Sequence, residues 1–72
     1  VQPTMRDLGQ FLRRKREKAG LTQSQVADEL KVPRPAISLV ENGVRHVSTL
    51  EYAKLARLYG FDMNEFFGRT GK

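Results

Sequence analysis

The chain has 72 residues, 39% of them apolar, and carries 13 Lys and Arg against 8 Asp and Glu for a formal charge of +5. That length holds one domain at most, near the lower size at which a single core stands without metal or disulfides. With no cysteine, a disulfide scaffold and thiolate zinc sites are excluded, and no apolar run approaches the roughly 18 to 20 residues of a membrane span.

The N-terminus VQPTMRDLG lacks an apolar h-region, so no secretory signal is expected. Because the chain begins at Val1, it is expected to be a cleaved product or a domain excised from something longer. Thr4 followed by Asp7 has the spacing of a capping box. Leu8, Phe11, Leu12 and Ala19 then mark an apolar side that runs to Gly20, a helix stop. The same segment crowds Arg13, Arg14, Lys15, Arg16 and Lys18 around a single acid, Glu17. Such a run reads either as a solvated helix face or as a surface for an anionic partner, nucleic acid or an acidic membrane.

Thr22 with Gln25 is a second capping box, opening a helix with Val26, Ala27 and Leu30 on one face and an end near Lys31. The stretch VPRPAISLVENG, from Val32 to Gly43, is a third helix of about two turns, with Ile37 and Val40 inward and Gly43 as terminator. Proline disfavours helix in the residue before it and tolerates a first helical turn, so Arg34 is expected at the entrance of this helix, its guanidinium off the tip. Ser48 with Glu51 caps a fourth helix carrying Leu50, Ala53, Leu55, Ala56, Leu58 and Tyr59 before Gly60. Asp62 with Glu65 is read as the cap of a last short helix bearing Phe66 and Phe67.

This pattern predicts an all-α, five-helix bundle over a single domain, residues 1–72, with an ordered core over about 5–67 and a tail over 68–72. No helix of this length is stable alone in water, so the apolar faces must share one core. Its expected members are Leu8, Leu12, Leu21, Val26, Ala27, Leu30, Ile37, Val40, Leu50, Leu55, Phe61 and Phe66. Tyr52, Tyr59 and Phe67 are read as either core or dimer surface.

From Gln23 to Asn42 the spacing is that of a helix-turn-helix, with small Ala27 where two helices cross and Ile37 and Val40 anchoring the second. Here the chain resembles the Cro and phage-repressor (Xre-like) helix-turn-helix family. The resemblance is carried by GLTQ at Gly20 to Gln23, Ala27, Val32, Ile37, Ser38, ENG at Glu41 to Gly43, and STLEYAKLARLYGFDMNEFF, so it covers nearly all of the chain from Leu8 to Phe67. It implies a lambda-repressor-like DNA-binding domain, dimeric on a palindromic double-stranded operator with half-sites roughly 34 Å apart, whose second motif helix enters the major groove. It implies base-facing positions at Pro33, Arg34, Pro35, Ser38 and Leu39, and phosphate contacts at Gln23, Asn42, Val44 and Arg45. To these phosphate contacts the reading adds His46, as a loop neighbour, and Arg13 of the basic run. Arg16 and Glu41 match a partly buried ion pair that ties the first helix to the third.

The planar fork of Arg binds guanine O6 and N7 together, which makes Arg34 the foremost base reader; Ser38 carries little base information, and Leu39 suits a thymine methyl. Three positions depart from the family pattern: Lys31 where glycine is common in the turn, Pro33 in place of a Ser or Thr cap, and Lys15 at an apolar position that Phe11 is expected to compensate. One histidine, no cysteine and no glycine-rich phosphate loop argue against an enzyme, and neither metal nor cofactor is expected. A transcriptional repressor or autoregulator in a prokaryotic or phage cytoplasm is the leading reading. An antitoxin or protein-interaction module of the same fold, or a DNA-targeting domain of a larger regulator, is the alternative. A membrane-lying basic first helix ranks lower, because its apolar face is needed by the core.

Overall fold

Backbone placement is described for residues 3–70 of a computed structural model, and side chains for residues 3–67. Five helices follow in order, α1 Met5–Lys18, α2 Gln23–Leu30, α3 Arg34–Glu41, α4 Thr49–Tyr59 and α5 Asn64–Thr70, with no strand among the described residues. The first, second and fourth begin on the three expected capping boxes. The hydroxyls of Thr4, Thr22 and Ser48 accept from the N–H groups of Asp7, Gln25 and Glu51, whose side chains accept in return from the cap N–H groups. Local chemistry therefore positions these three helix starts without help from the rest of the chain.

The expected box at Asp62 and Glu65 does not form. The Asp62 carboxylate accepts from the N–H of Asn64, two residues on, at 2.7 Å, while Glu65 turns to an ion pair with Lys15 of α1. A charged partner on another helix outcompetes the local return bond. Of the expected tail, residues 68–70 are helical in backbone and residues 71–72 lie outside the described residues.

The core joins Phe11, Leu12, Val26, Ala27, Ile37, Val40, Leu55, Phe61 and Phe66, with Leu8, Leu21 and Leu30 packed partly buried against it. Leu50 is a correction: it is 77% exposed. Tyr52, Leu55, Ala56 and Tyr59, one stripe at helical spacing, face inward, which leaves Leu50 on the outer side with the exposed Lys54 and Arg57. Tyr52 and Tyr59 are thus core, and Phe67 stays half exposed. Phe61 anchors the aromatic half of the core, edge-on to Phe11 at 5.0 Å between centroids and to Tyr52 at 5.7 Å. The Tyr52 hydroxyl donates to the carbonyl of Met63 at 3.0 Å, which satisfies the one polar atom of that ring. Phe11 takes the packing expected of it, and the Lys15 ammonium lies 5.6 Å from its ring centroid.

Helices α1 to α4 end by one device: an N–H two or three residues past the terminus returns to a carbonyl five residues back. The donors are Leu21, Val32, Val44 and Phe61, at 2.8 to 3.1 Å. Each closure needs a left-handed residue before the donor. Three use glycine, whereas α2 uses Lys31, at φ 59°. A side chain in that region costs roughly 1–2 kcal/mol, partly offset by the greater freedom that glycine has in the unfolded chain. Lys31→Gly is therefore expected to raise stability by about 1 kcal/mol, about 4–8 °C in Tm for a domain of this size. Thermal unfolding followed by circular dichroism checks it, and an unchanged or lower Tm counts against strain at this turn.

Candidate nucleic-acid interface

Helices α2 and α3 pack through Val26 and Ala27 against Ile37 and Val40, all buried. With that side of α3 in the core, the opposite side is left to solvent. Arg34 and Pro35 lie exposed in its first turn, the partly exposed Ser38 and the 43% exposed Leu39 one turn on, and the exposed Asn42 at its C-terminal cap. Four-residue steps from Arg34 to Ser38 to Asn42 make a continuous stripe. Four of the five base-facing candidates, Arg34, Pro35, Ser38 and Leu39, thus share this side of α3, and the fifth, Pro33, precedes it at the N-cap.

Pro33 is the N-cap of α3, in extended backbone, and no side chain caps this end. The Ala36 N–H closes on the Pro33 carbonyl at 2.9 Å, and Pro35 carries no N–H to satisfy, so the proline pair starts the helix without a cap oxygen. Arg34 is the first helical residue, at the entrance where it was expected, and is exposed, with no ion pair to an acid among the described residues.

Beneath the stripe lies a buried polar knot. The Arg16 guanidinium donates from Nε to Oε2 of Glu41 at 2.6 Å and from Nη2 to Oε1 at 3.2 Å. Its Nη1 donates to the carbonyl of Leu21 at 2.8 Å. Arg16 is 9% exposed and Glu41 5%, so this pair ties α1 to α3. Hydrogen bonding to Glu41 raises the Arg16 pKa above its ordinary value, against the opposing effect of burial. Gln23, the first residue of α2, donates from Nε2 to Oε1 of Glu41 at 3.0 Å. Its amide is therefore oriented by the knot, and the second hydrogen of Nε2 remains for an outside acceptor.

Other phosphate candidates are committed differently. Arg45 makes a two-pronged pair with Glu51, at 3.4 and 3.2 Å. Glu51 in turn accepts from the Ser48 N–H, and that bond, with Arg45 aiding, holds its carboxyl below the ordinary range. The loop after α3 is thus fastened to the cap of α4. Val44 is exposed, but its N–H donates to the Leu39 carbonyl at 2.8 Å, so neither its apolar side chain nor its amide offers a donor here. Arg13 is exposed in an i,i+4 pair with Glu17 at 3.2 Å, and His46 is exposed in the loop.

Two glycines set the distance between α1 and the end of α3. A Cβ on Gly9 would stand 2.5 Å from the carbonyl oxygens of both Val40 and Glu41, and one on Gly43 would stand 2.7 Å from Cα of Arg6. Only bare backbone permits this approach. It opens a polar groove beside the α3 stripe, lined by Arg6, Gln10, Arg13, Glu41 and Asn42. Sequence reasoning missed Arg6 and Gln10, although with Arg13 they have the spacing of one helix face.

Among the described residues no group of three His, Cys, Asp or Glu side chains is placed to hold a metal ion, and no helix is long and apolar enough to cross a membrane. Residues 7–66 match the family described as helix-turn-helix domain. A relative from Bacillus subtilis (strain 168), an uncharacterized HTH-type transcriptional regulator named YqaF, is 33% identical over 57 residues, which cover 79% of this chain and 75% of the relative. With the α2–α3 pair, its buried crossing and its solvent-facing stripe in place, the chain belongs to the helix-turn-helix domain family, as its likeness to the Cro and phage-repressor proteins implied.

Proposed function

We propose that the chain binds double-stranded DNA sequence-specifically and regulates transcription, as a repressor or autoregulator that lays α3 in the major groove of a palindromic operator. The observation that carries this reading is the stripe of Arg34, Pro35, Ser38, Leu39 and Asn42, held outward by a helix whose other face is core. A surface stripe with a free arginine fork at its tip is suited to base edges, and the +5 charge supplies attraction to phosphates. The name of the Bacillus relative, a transcriptional regulator, supports the same class. Gln23 fits a phosphate contact at the N-terminus of α2, where the helix dipole favours an anion. A homodimer on a two-fold operator, acting in the cytoplasm of a prokaryote or on phage DNA, completes the proposal. The function is binding, with no chemical step.

Selection from random oligonucleotides tests this directly, since it reports both the bound sequence and the half-site spacing. Arg34→Ala is expected to lose preference at one base pair in each half-site, a discrimination of about 1–3 kcal/mol, while salt-sensitive non-specific binding survives. The same motif recovered with the variant would remove Arg34 from the base readers. No enrichment with the unaltered chain, at low salt, would remove DNA binding itself.

A further inference from the structure

The groove between α1 and the end of α3, about 350 Å³ in volume, is not accounted for by base reading. Its walls are Arg6, Gln10 and Arg13, on one face of α1 by their spacing, with Asn42 opposite and Glu41 between. The side chains of Arg6 and Gln10 make no hydrogen bond or ion pair among the described residues. Arg6 is exposed, and its backbone is where the turn at Gly43 rests on α1. The one acid in the lining is already compensated: Glu41 accepts two bonds from Arg16 and one from Gln23. The groove therefore presents a free guanidinium fork and two side-chain amides without an unopposed negative charge.

Its position follows from two bonds. Asn42 lies one turn beyond Ser38, to whose hydroxyl its amide donates at 3.5 Å, so the groove continues the α3 stripe. Gln23, at the start of α2, reaches the same Glu41 that floors the groove. A duplex whose major groove holds α3 brings its sugar-phosphate backbone along the ends of that helix.

The geometry points to this groove as a seat for a backbone phosphodiester of the bound duplex, gripped by the Arg6 fork with the Gln10 and Asn42 amides. Arg6 and Gln10 are then DNA-contacting residues, and the footprint extends from the helix-turn-helix onto the first half of α1. The inference rests on the DNA-binding reading above. A phosphodiester carries one negative charge and two free oxygens, which suits a planar fork flanked by neutral donors. Such a contact adds affinity without reading sequence.

The test measures binding to the selected duplex across a salt series for the unaltered chain, for Arg6→Gln and for Arg57→Gln, which removes the same charge from an exposed site on α4. Arg6→Gln is expected to lower the slope of log K against log salt by about one unit and to weaken all sequences alike, with Arg57→Gln near the unaltered slope. A methylphosphonate scan of the duplex leaves the protein intact. It should find one phosphate in each half-site whose neutralisation weakens the unaltered chain but not Arg6→Gln. Equal slopes for the unaltered chain and Arg6→Gln, or for the two variants, overturn the inference while leaving DNA binding standing. So does a scan with no such phosphate, even if inorganic phosphate alone shifts the Arg6 and Gln10 amide resonances, since the groove then takes free anions only. An unaltered chain that binds no duplex overturns the DNA-binding reading and the inference together.

Discussion

Glu41→Ala is expected to lower the unfolding free energy by about 3–5 kcal/mol, a large part of the roughly 5–15 kcal/mol that holds a small domain folded. The substitution removes the acceptor of three hydrogen bonds and leaves the Arg16 guanidinium charged and 9% exposed, with the Leu21 carbonyl as its remaining hydrogen-bond acceptor and the exposed Glu17 carboxylate 4.0 Å away. Most of the loss is the penalty of that stranded charge, not the worth of the pair. Replacing both partners, Arg16→Met with Glu41→Leu, should therefore recover much of the stability, because the charge and its counter-charge leave together. Urea unfolding of the two single variants and the double variant closes a mutant cycle. A single-variant loss below about 1 kcal/mol, the range of exposed pairs, would mean that the knot is wetter than its burial implies. The double variant should still bind DNA less well than the unaltered chain, since Gln23, the proposed phosphate contact, has lost the carboxylate that orients its amide.

Gly9→Ala is the second large effect, and its sign is the informative part. At an ordinary helical position glycine to alanine stabilises by about 1 kcal/mol. Here the new Cβ meets two backbone carbonyls at 2.5 Å, and neither can yield without moving the end of α3. Overpacking of this kind costs about 1–3 kcal/mol, so a net loss is expected. The strain falls on Val40 and Glu41, so the variant should also widen the gap between α1 and α3 and weaken DNA binding beyond what its lower stability explains. Urea unfolding gives the first quantity and duplex titration well below Tm the second. A variant as stable as the unaltered chain, or more so, would show that the crossing relaxes freely.

The two effects meet at one place, the contact of α1 with the last turn of α3. The helix-turn-helix pair is aligned by its own crossing at Ala27, but its attachment to the rest of the domain runs through Arg16, Glu41, Gly9 and Gly43. The phosphate candidates divide along the same line. Gln23 is aimed from this knot, Asn42 borders the groove above it, and Arg45 is bound instead to the cap of α4 through Glu51.

The sequence alone determined the helix starts at Thr4, Thr22 and Ser48, the proline-led entry of α3 and the two-helix motif, because each rests on interactions within a few residues. Where a local rule met a distant partner it failed. Asp62 and Glu65 have capping-box spacing, yet Glu65 went to Lys15, fifty residues away. Leu50 was apolar and helical but outward, because its burial depends on the phase of α4 against the core. What Gln23 and Arg45 bind inside the domain, and the groove that places Arg6 beside Asn42, were decided only by the tertiary structure. Hydrogen-bond spacing along a helix is written in neighbouring residues, whereas the closeness of α1 to α3 depends on two glycines and a pair 25 residues apart that only folding brings together.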